Sequence, residues 1–140
     1  MSKKLLLLFA IAVFGVLFIG CGDDDPSDPE PQFTVYSQPV TLDGGEAGLQ
    51  FFARPTTHDV SMVSVRITNP ANSQLTYNLG NTLYVRDQNF ALQDTDMGYC
   101  KFDHLGNILT GPWRFVFVGN KATGDHSSFE VSVTHTISGK

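Results

Sequence analysis

Residues 113–137, WRFVFVGNKATGDHSSFEVSVTHTI, indicate the fold of this chain. Within them, residues 129–137 alternate apolar and polar side chains, which is the pattern of a strand with one buried face. Residues 113–118 carry apolar side chains on both parities, which is typical of a central strand covered on both sides. Gly119–Asp125 lies between the two and predicts an exposed hairpin loop. The two strands should supply much of the core.

The period of two continues toward the N-terminus as far as Phe33. The further strand candidates are 33–42 (broken at Pro39), 49–53, 63–67, 75–79, 83–86 and 99–102. In 63–67 we expect Val63, Val65 and Ile67 to share the buried face. Turn signals separate the candidates at Gly44-Gly45, Asn69-Pro70 and Gly80-Asn81.

No segment after residue 32 shows an apolar period of 3.6 over ten or more residues. Short strands spaced by turns favour a sandwich or a barrel. We therefore predict an all-β fold for residues 33–140, an immunoglobulin-like antiparallel β-sandwich of about seven or eight strands. The Cys…Trp…Cys spacing of true immunoglobulin domains is not present, so the prediction concerns architecture alone.

The first twenty residues are typical of an export signal. Lys3 and Lys4 precede the apolar run Leu5–Ile19, and Gly20-Cys21 is followed by a polar chain. The alternative is a membrane-spanning helix. Fifteen residues would be only about 22 Å long in a helix, against a hydrocarbon core of ~30 Å. A cleaved signal over residues 1–20 is the better interpretation.

Phe18-Ile19-Gly20-Cys21 resembles a lipobox, the motif read by the bacterial lipoprotein signal peptidase. The resemblance implies cleavage after Gly20 and lipidation of Cys21 by a diacylglycerol thioether and an amide-linked acyl chain such as palmitate. Phe18 departs from the family pattern, which prefers Leu at that place. A cysteine suits this chemistry because its thiolate is the nucleophile that attacks the lipid donor.

Residues 21–32 are expected to form a tether, because Gly22–Gln32 is acidic, rich in proline and without an apolar residue to bury. The triplet Asp23-Asp24-Asp25 resembles the export signal of surface lipoproteins in some Gram-negative bacteria. That resemblance implies an outer-membrane protein exposed at the cell surface. A periplasm-facing anchor is the alternative.

Charge and cysteine content narrow the function further. Loss of residues 1–20 removes Lys3 and Lys4, which leaves seven basic against fourteen acidic side chains, a formal net charge of −7. No basic field exists to hold nucleic acid. With Cys21 acylated, Cys100 has no partner for an intramolecular disulfide. The domain must therefore be stabilised by its core.

Three groups of residues contain side-chain types that could bind a metal or act in catalysis. His58, His104, His126 and His135 show no metal-ligand spacing, so scattered non-ligand histidines are expected. Asp94–Gly98 begins like a calcium loop but has no glutamate twelve positions along. Cys100 and His104 could form a nucleophile and base near Asp103, yet on an extended chain they lie ~13 Å apart. We expect no metal, cofactor or catalytic residue.

The aromatic side chains could stack on sugars, but Trp113 is expected in the core because large aromatic side chains dominate core burial. The other candidates are Tyr36, Tyr77, Tyr84 and Tyr99. The sequence therefore predicts a lipid-anchored, monomeric, non-enzymatic module with a protein or glycan partner. The alternatives are an accessory subunit of an envelope complex and a surface enzyme using Cys100 and His104.

Overall fold

A computed structural model describes residues 28–41, 44–45, 47–92 and 109–139. The regular structure within these residues consists of seven strands: β1 (Phe33–Thr41), β2 (Ala47–Pro55), β3 (Val60–Thr68), β4 (Gln74–Tyr84), β5 (Phe90–Ala91), β6 (Gly111–Lys121) and β7 (Ser128–Ile137). Several of the predictions lie outside the described residues: the signal 1–20, Cys21, the Asp94–Gly98 segment, the strand candidate 99–102, Cys100 and His104. Within those residues, no helix is long and apolar enough to cross a membrane.

The strands form two antiparallel sheets. One has three strands in the order β1-β2-β5, and the other has four in the order β4-β3-β6-β7. The all-β, antiparallel prediction is therefore confirmed. β5 has only two residues, too few for a period-two pattern to indicate it from the sequence.

The hairpin of β6 and β7 follows the sequence pattern. β6 lies between β3 and β7, as its apolar side chains on both parities predict. Trp113, Phe115 and Phe117 are fully buried toward the core, and Val116 is buried on the other face. β7 is an edge strand, so only its Phe129 is buried while Val131, Val133 and Ile137 are half-buried against the core.

One core joins the two sheets through aromatic contacts. The rings of Phe33 and Phe117 stack with centroids 4.2 Å apart. In the three-stranded sheet, the ring of Phe51 contacts the rings of Trp113 and Phe115 of the four-stranded sheet, with centroid distances of 4.9 Å and 5.1 Å. The prediction that Trp113 belongs to the core is confirmed, and its indole Nε1–H donates to the Leu109 carbonyl at 3.0 Å. The sheets therefore pack in a sandwich-like arrangement.

The expectations for β3 and β4 were wrong in two places, for one reason. The register of β3 shifts between Met62 and Ser64, which makes Val63 an extra, partly exposed residue rather than a core residue. Opposite this bulge, Gly80 and Asn81 adopt φ values of 59° and 63°. These residues interrupt the register inside one continuous strand and do not separate two strands.

Two other boundaries differ from the sequence interpretation. Pro39 does not break the first strand, because β1 is an edge strand where a missing N–H is tolerated. β6 extends to Lys121, whose N–H donates to the Ser127 carbonyl at 2.9 Å and closes the hairpin. The loop is therefore 122–127, not 119–125.

We predict that Phe115→Ala lowers the free energy of unfolding by about 3–5 kcal/mol, because it leaves a cavity between the sheets. Leu83→Ala is the control, since Leu83 is an exposed leucine at 56% accessibility and should change stability by under ~1 kcal/mol. Urea unfolding followed by circular dichroism measures both. Equal effects of the two substitutions would show that the core is not where the aromatic contacts place it.

Candidate functional site

The strand ends form two poles. At the N-terminal pole, Asp28–Gln32 meets the β2–β3 turn, because the Gln32 carbonyl accepts the Thr56 N–H at 2.8 Å. The loop after β6 joins the same pole through the Ala122 N–H, which donates to the Asp59 carbonyl at 2.8 Å. The β4–β5 loop joins it through the Asp87 N–H, bonded to the Pro55 carbonyl at 2.7 Å. The opposite pole contains residues 44–45, the β3–β4 turn and the end of β7.

A buried lysine lies at the centre of the N-terminal pole. Lys121 shares the core-facing parity of β6 with Phe115 and Phe117, and its side chain is only 2% exposed. Its Nζ donates to the carbonyl oxygen of Asp28 at 2.6 Å. It also lies 3.2 Å from Asp125 Oδ1 and 3.5 Å from Asp28 Oδ2. A buried ammonium group needs such partners, because burying an unpaired charge is very costly.

A histidine holds the other side of the Asp28 carboxylate. Asp28 Oδ1 lies 3.2 Å from His58 Nε2, and because an ionised carboxylate can only accept, Nε2 carries the proton. His58 Nδ1 lies 2.8 Å from Thr57 Oγ1, which accepts the Gln32 N–H at 3.0 Å. The chain of bonds therefore ties both ends of the 28–32 segment to the β2–β3 turn.

The second carboxylate is fixed by the hairpin loop. Asp125 Oδ1 accepts both the N–H of Ser127, at 3.0 Å, and its hydroxyl, at 2.7 Å. These two hydrogen bonds, with a smaller effect of Lys121, lower the pKa of Asp125 to about 2. The pKa of Asp28 is also lowered, chiefly by its hydrogen bond from His58. Both carboxylates are therefore ionised at neutral pH.

Gly124 shapes the place that receives Asp28. Its φ is +79°, a conformation that favours glycine, and a Cβ atom built there would overlap the Asp28 carboxylate. We call Asp28, His58, Lys121 and Asp125 the N-terminal latch. Next to it, the Pro31 side chain is fully buried. The expectation that the tether through Gln32 buries nothing is therefore wrong, because long-range contacts fix residues that the local composition describes only as polar.

The latch has its functional groups engaged with one another. Every ionisable side chain in it has at least one partner inside the cluster. No group of three or more His, Cys, Asp or Glu side chains in the described ranges is arranged to hold a metal ion. What this geometry does chemically is to hold the segment that enters the first strand.

The other two histidines among the described residues, His126 and His135, are not members of the latch. His135 is half-buried, with Nε2 3.1 Å from Ser37 Oγ and its ring edge-on to Phe51. Burial lowers the pKa of His135. His126 is exposed in the hairpin loop. Among the described histidines, only His58 lies in a charged network, and no spacing in the sequence signals it because Asp28 is 30 residues away.

Shallow hollows lie at two places on the described surface. One, of about 440 Å³, lies beside the β3 bulge between Glu30, Val63, Val118 and Glu130. The other, of about 360 Å³, lies at the N-terminal pole between Asp59, Arg86 and Thr123. Neither of these two hollows is an enclosed pocket.

A stacked aromatic pair lies on the outer face of the three-stranded sheet. Tyr36 and Phe52 are direct cross-strand partners, and their ring centroids are 5.3 Å apart with an interplanar angle of 12°. Both are partly exposed. Gln38 and Gln50 form the next pair on the same face. Of the predicted aromatic candidates, Tyr84 instead stacks on buried Phe90 at 3.9 Å.

Comparison with known proteins finds no family model, no curated protein and no solved structure that matches this chain. Function is therefore argued from its own residues. The sequence did contain one overlooked signal of the latch, which is a lysine on the buried parity of a core strand at position 121.

We predict that acid weakens the latch. Both latch carboxylates have a folded-state pKa below the unfolded value of about 3.9, so the stability that they contribute is present above that value and is lost as the pH falls through the lowered pKa, which is about 2 for Asp125. Asp125→Asn has no carboxylate to protonate at this position. Its free energy of unfolding should therefore fall less than that of the parent between about pH 5 and about pH 2. Urea unfolding across this range measures it.

The matched control is Asp87→Asn, which removes an exposed carboxylate of the same pole outside the latch. It should keep the parent's acid dependence. If Asp125→Asn and the parent lose stability in parallel, the Asp125 carboxylate does not stabilise the fold through the latch.

Proposed function

We propose that this protein is a bacterial envelope lipoprotein, anchored by lipid on Cys21, whose β-domain is a non-enzymatic binding or structural module. The observation that carries the proposal is the Gly20-Cys21 junction at the end of the apolar run Leu5–Ile19. The acidic triplet Asp23-Asp24-Asp25 supports the outer membrane as the location and the cell surface as the exposed side. A periplasm-facing anchor is the alternative location.

We also propose that the domain is immunoglobulin-like. The strand order β1-β2-β5 corresponds to A-B-E of that fold, and β4-β3-β6-β7 corresponds to C′-C-F-G. The two sheets share an aromatic core, as sandwich domains do. With Cys21 acylated, the sequence has no second cysteine that could form a disulfide with Cys100. Packing between Phe51 and Trp113 takes the central place instead.

A binding role fits the surface better than a catalytic one. The best-built polar cluster of the described residues is used internally, by Lys121 and its two carboxylates. The Tyr36–Phe52 pair offers an aromatic platform on a sheet face, where a sugar ring or an apolar side chain of a partner protein can stack. We favour this face as the contact surface of the monomeric domain.

We predict that Cys21→Ala abolishes membrane anchoring, because alanine has no thiolate to accept the lipid. Cys100→Ala is the matched control, since it removes the other cysteine of the chain and should leave anchoring intact. Membrane fractionation and mass spectrometry of the mature N-terminus measure the outcome. A parent protein with an unmodified Cys21 would refute the lipoprotein assignment.

A separate prediction concerns the acidic triplet. Replacing Asp23, Asp24 and Asp25 by alanine should reduce cleavage of the protein by protease added to intact cells, because the surface-export signal is lost. Asp28 is kept, since its replacement would disturb the latch. Lipidation and domain stability should not change. Equal cleavage of variant and parent would exclude a sorting role for the triplet.

A further inference from the structure

The latch determines where the folded domain begins relative to the anchor. Asp28 is held by His58 and Lys121, and Pro31 is buried, so the fold starts well before the first strand. We infer that the domain stands with its N-terminal pole held close to the bilayer, which leaves the opposite pole and the outer sheet faces, including the Tyr36–Phe52 pair, open to partners. This inference rests on the proposed lipid anchor at Cys21.

The length of chain between Cys21 and Asp28 sets the limit. Seven residue steps separate them, and a fully extended chain spans at most about 3.6 Å per step, so Asp28 cannot lie more than about 25 Å from the anchored cysteine. If only Pro31 were fixed, ten steps would allow about 36 Å. The latch therefore shortens the greatest possible distance between the anchored cysteine and the start of the folded domain by nearly a third.

The two poles are separated by the length of the strands. β6 has 11 residues and runs from the opposite pole to the latch, which is about 36 Å at 3.3 Å per residue. The N-terminal pole is thus confined near the bilayer. Only the opposite pole can reach about 60 Å from the anchor.

This stance decides which surface meets a large partner. The loops 56–59, 85–89 and 122–127 belong to the N-terminal pole and lie on the bilayer side. They include the β2–β3 and β6–β7 loops, which correspond to the loops that immunoglobulin variable domains use for recognition. Here the turns at 44–45 and 69–73, with the outer sheet faces, remain open to a partner.

The test measures the distance of each pole from a membrane. Lipidated protein is purified from membranes and reconstituted in phosphatidylcholine vesicles that contain a headgroup acceptor dye. A donor dye is placed by Thr123→Cys at the N-terminal pole or by Ala71→Cys at the opposite pole, both exposed, in a Cys100→Ser background. Energy transfer from position 123 should be at least about twice that from position 71, because the two poles are about 36 Å apart.

Two matched pairs of variants test the latch itself. Asp28→Ala should reduce the difference in energy transfer between the two dye positions. Glu30→Ala replaces a nearby exposed acid and should leave that difference unchanged. Gly124→Ala should act like Asp28→Ala, because its new methyl group displaces the carboxylate. Gly45→Ala has the same backbone penalty at φ +83° with free space around it, and should leave the difference unchanged.

The possible results distinguish a failure of the proposed orientation from a failure of the proposed lipid anchor. Vesicle-bound protein with equal transfer from both positions overturns the stance and leaves the lipoprotein assignment intact. Unequal transfer that Asp28→Ala and Gly124→Ala do not narrow overturns the role of the latch. Parent protein that is recovered unmodified and free of the vesicles overturns the anchor, and the stance with it.

Discussion

The structure of the N-terminal pole depends on the burial of one ammonium group, that of Lys121. β6 continues its core-facing parity to this residue, so the lysine points toward the interior at the end of the strand. It must be neutralised there, and the carboxylates that do so come from 93 residues earlier and from four residues later. Neutralising Lys121 therefore brings the start of the fold, the β2–β3 turn and the hairpin loop together.

The paired irregularities of β3 and β4 have a comparable effect on the four-stranded sheet. Before Val63 the core residues of β3 are Val60 and Met62, and after it they are Val65 and Ile67, so the buried parity changes. The positive φ values of Gly80 and Asn81 let β4 follow this change as one strand. Both ends of β3 can thus face the same core, which a regular strand of this sequence could not achieve.

How far the sequence predicts the structure depends on the range of the interaction. Local sequence features correctly indicated three things: alternation the strand β7 of the hairpin, apolar side chains on both parities the central place of β6, and aromatic size the burial of Trp113. They failed at Val63, because a bulge is recognised only against the partner strand. They also failed at Asp28 and Pro31, since nothing near them in the sequence indicates Lys121. Cys21, which carries the proposed anchor, is known from its motif alone.

The ionic contacts of the latch fix the position of Asp28 more specifically than apolar packing would. A buried ion pair often contributes little net stability compared with apolar side chains, because desolvation offsets the attraction. Its geometry is specific, however, because Lys121 Nζ donates to the Asp28 carbonyl while the carboxylates of Asp28 and Asp125 both lie beside it. An apolar contact at Pro31 alone would let the acidic segment before it detach or shift. The ionic contacts therefore fix the residue at which the connection to the anchor ends, and with it the distance between the domain and the membrane.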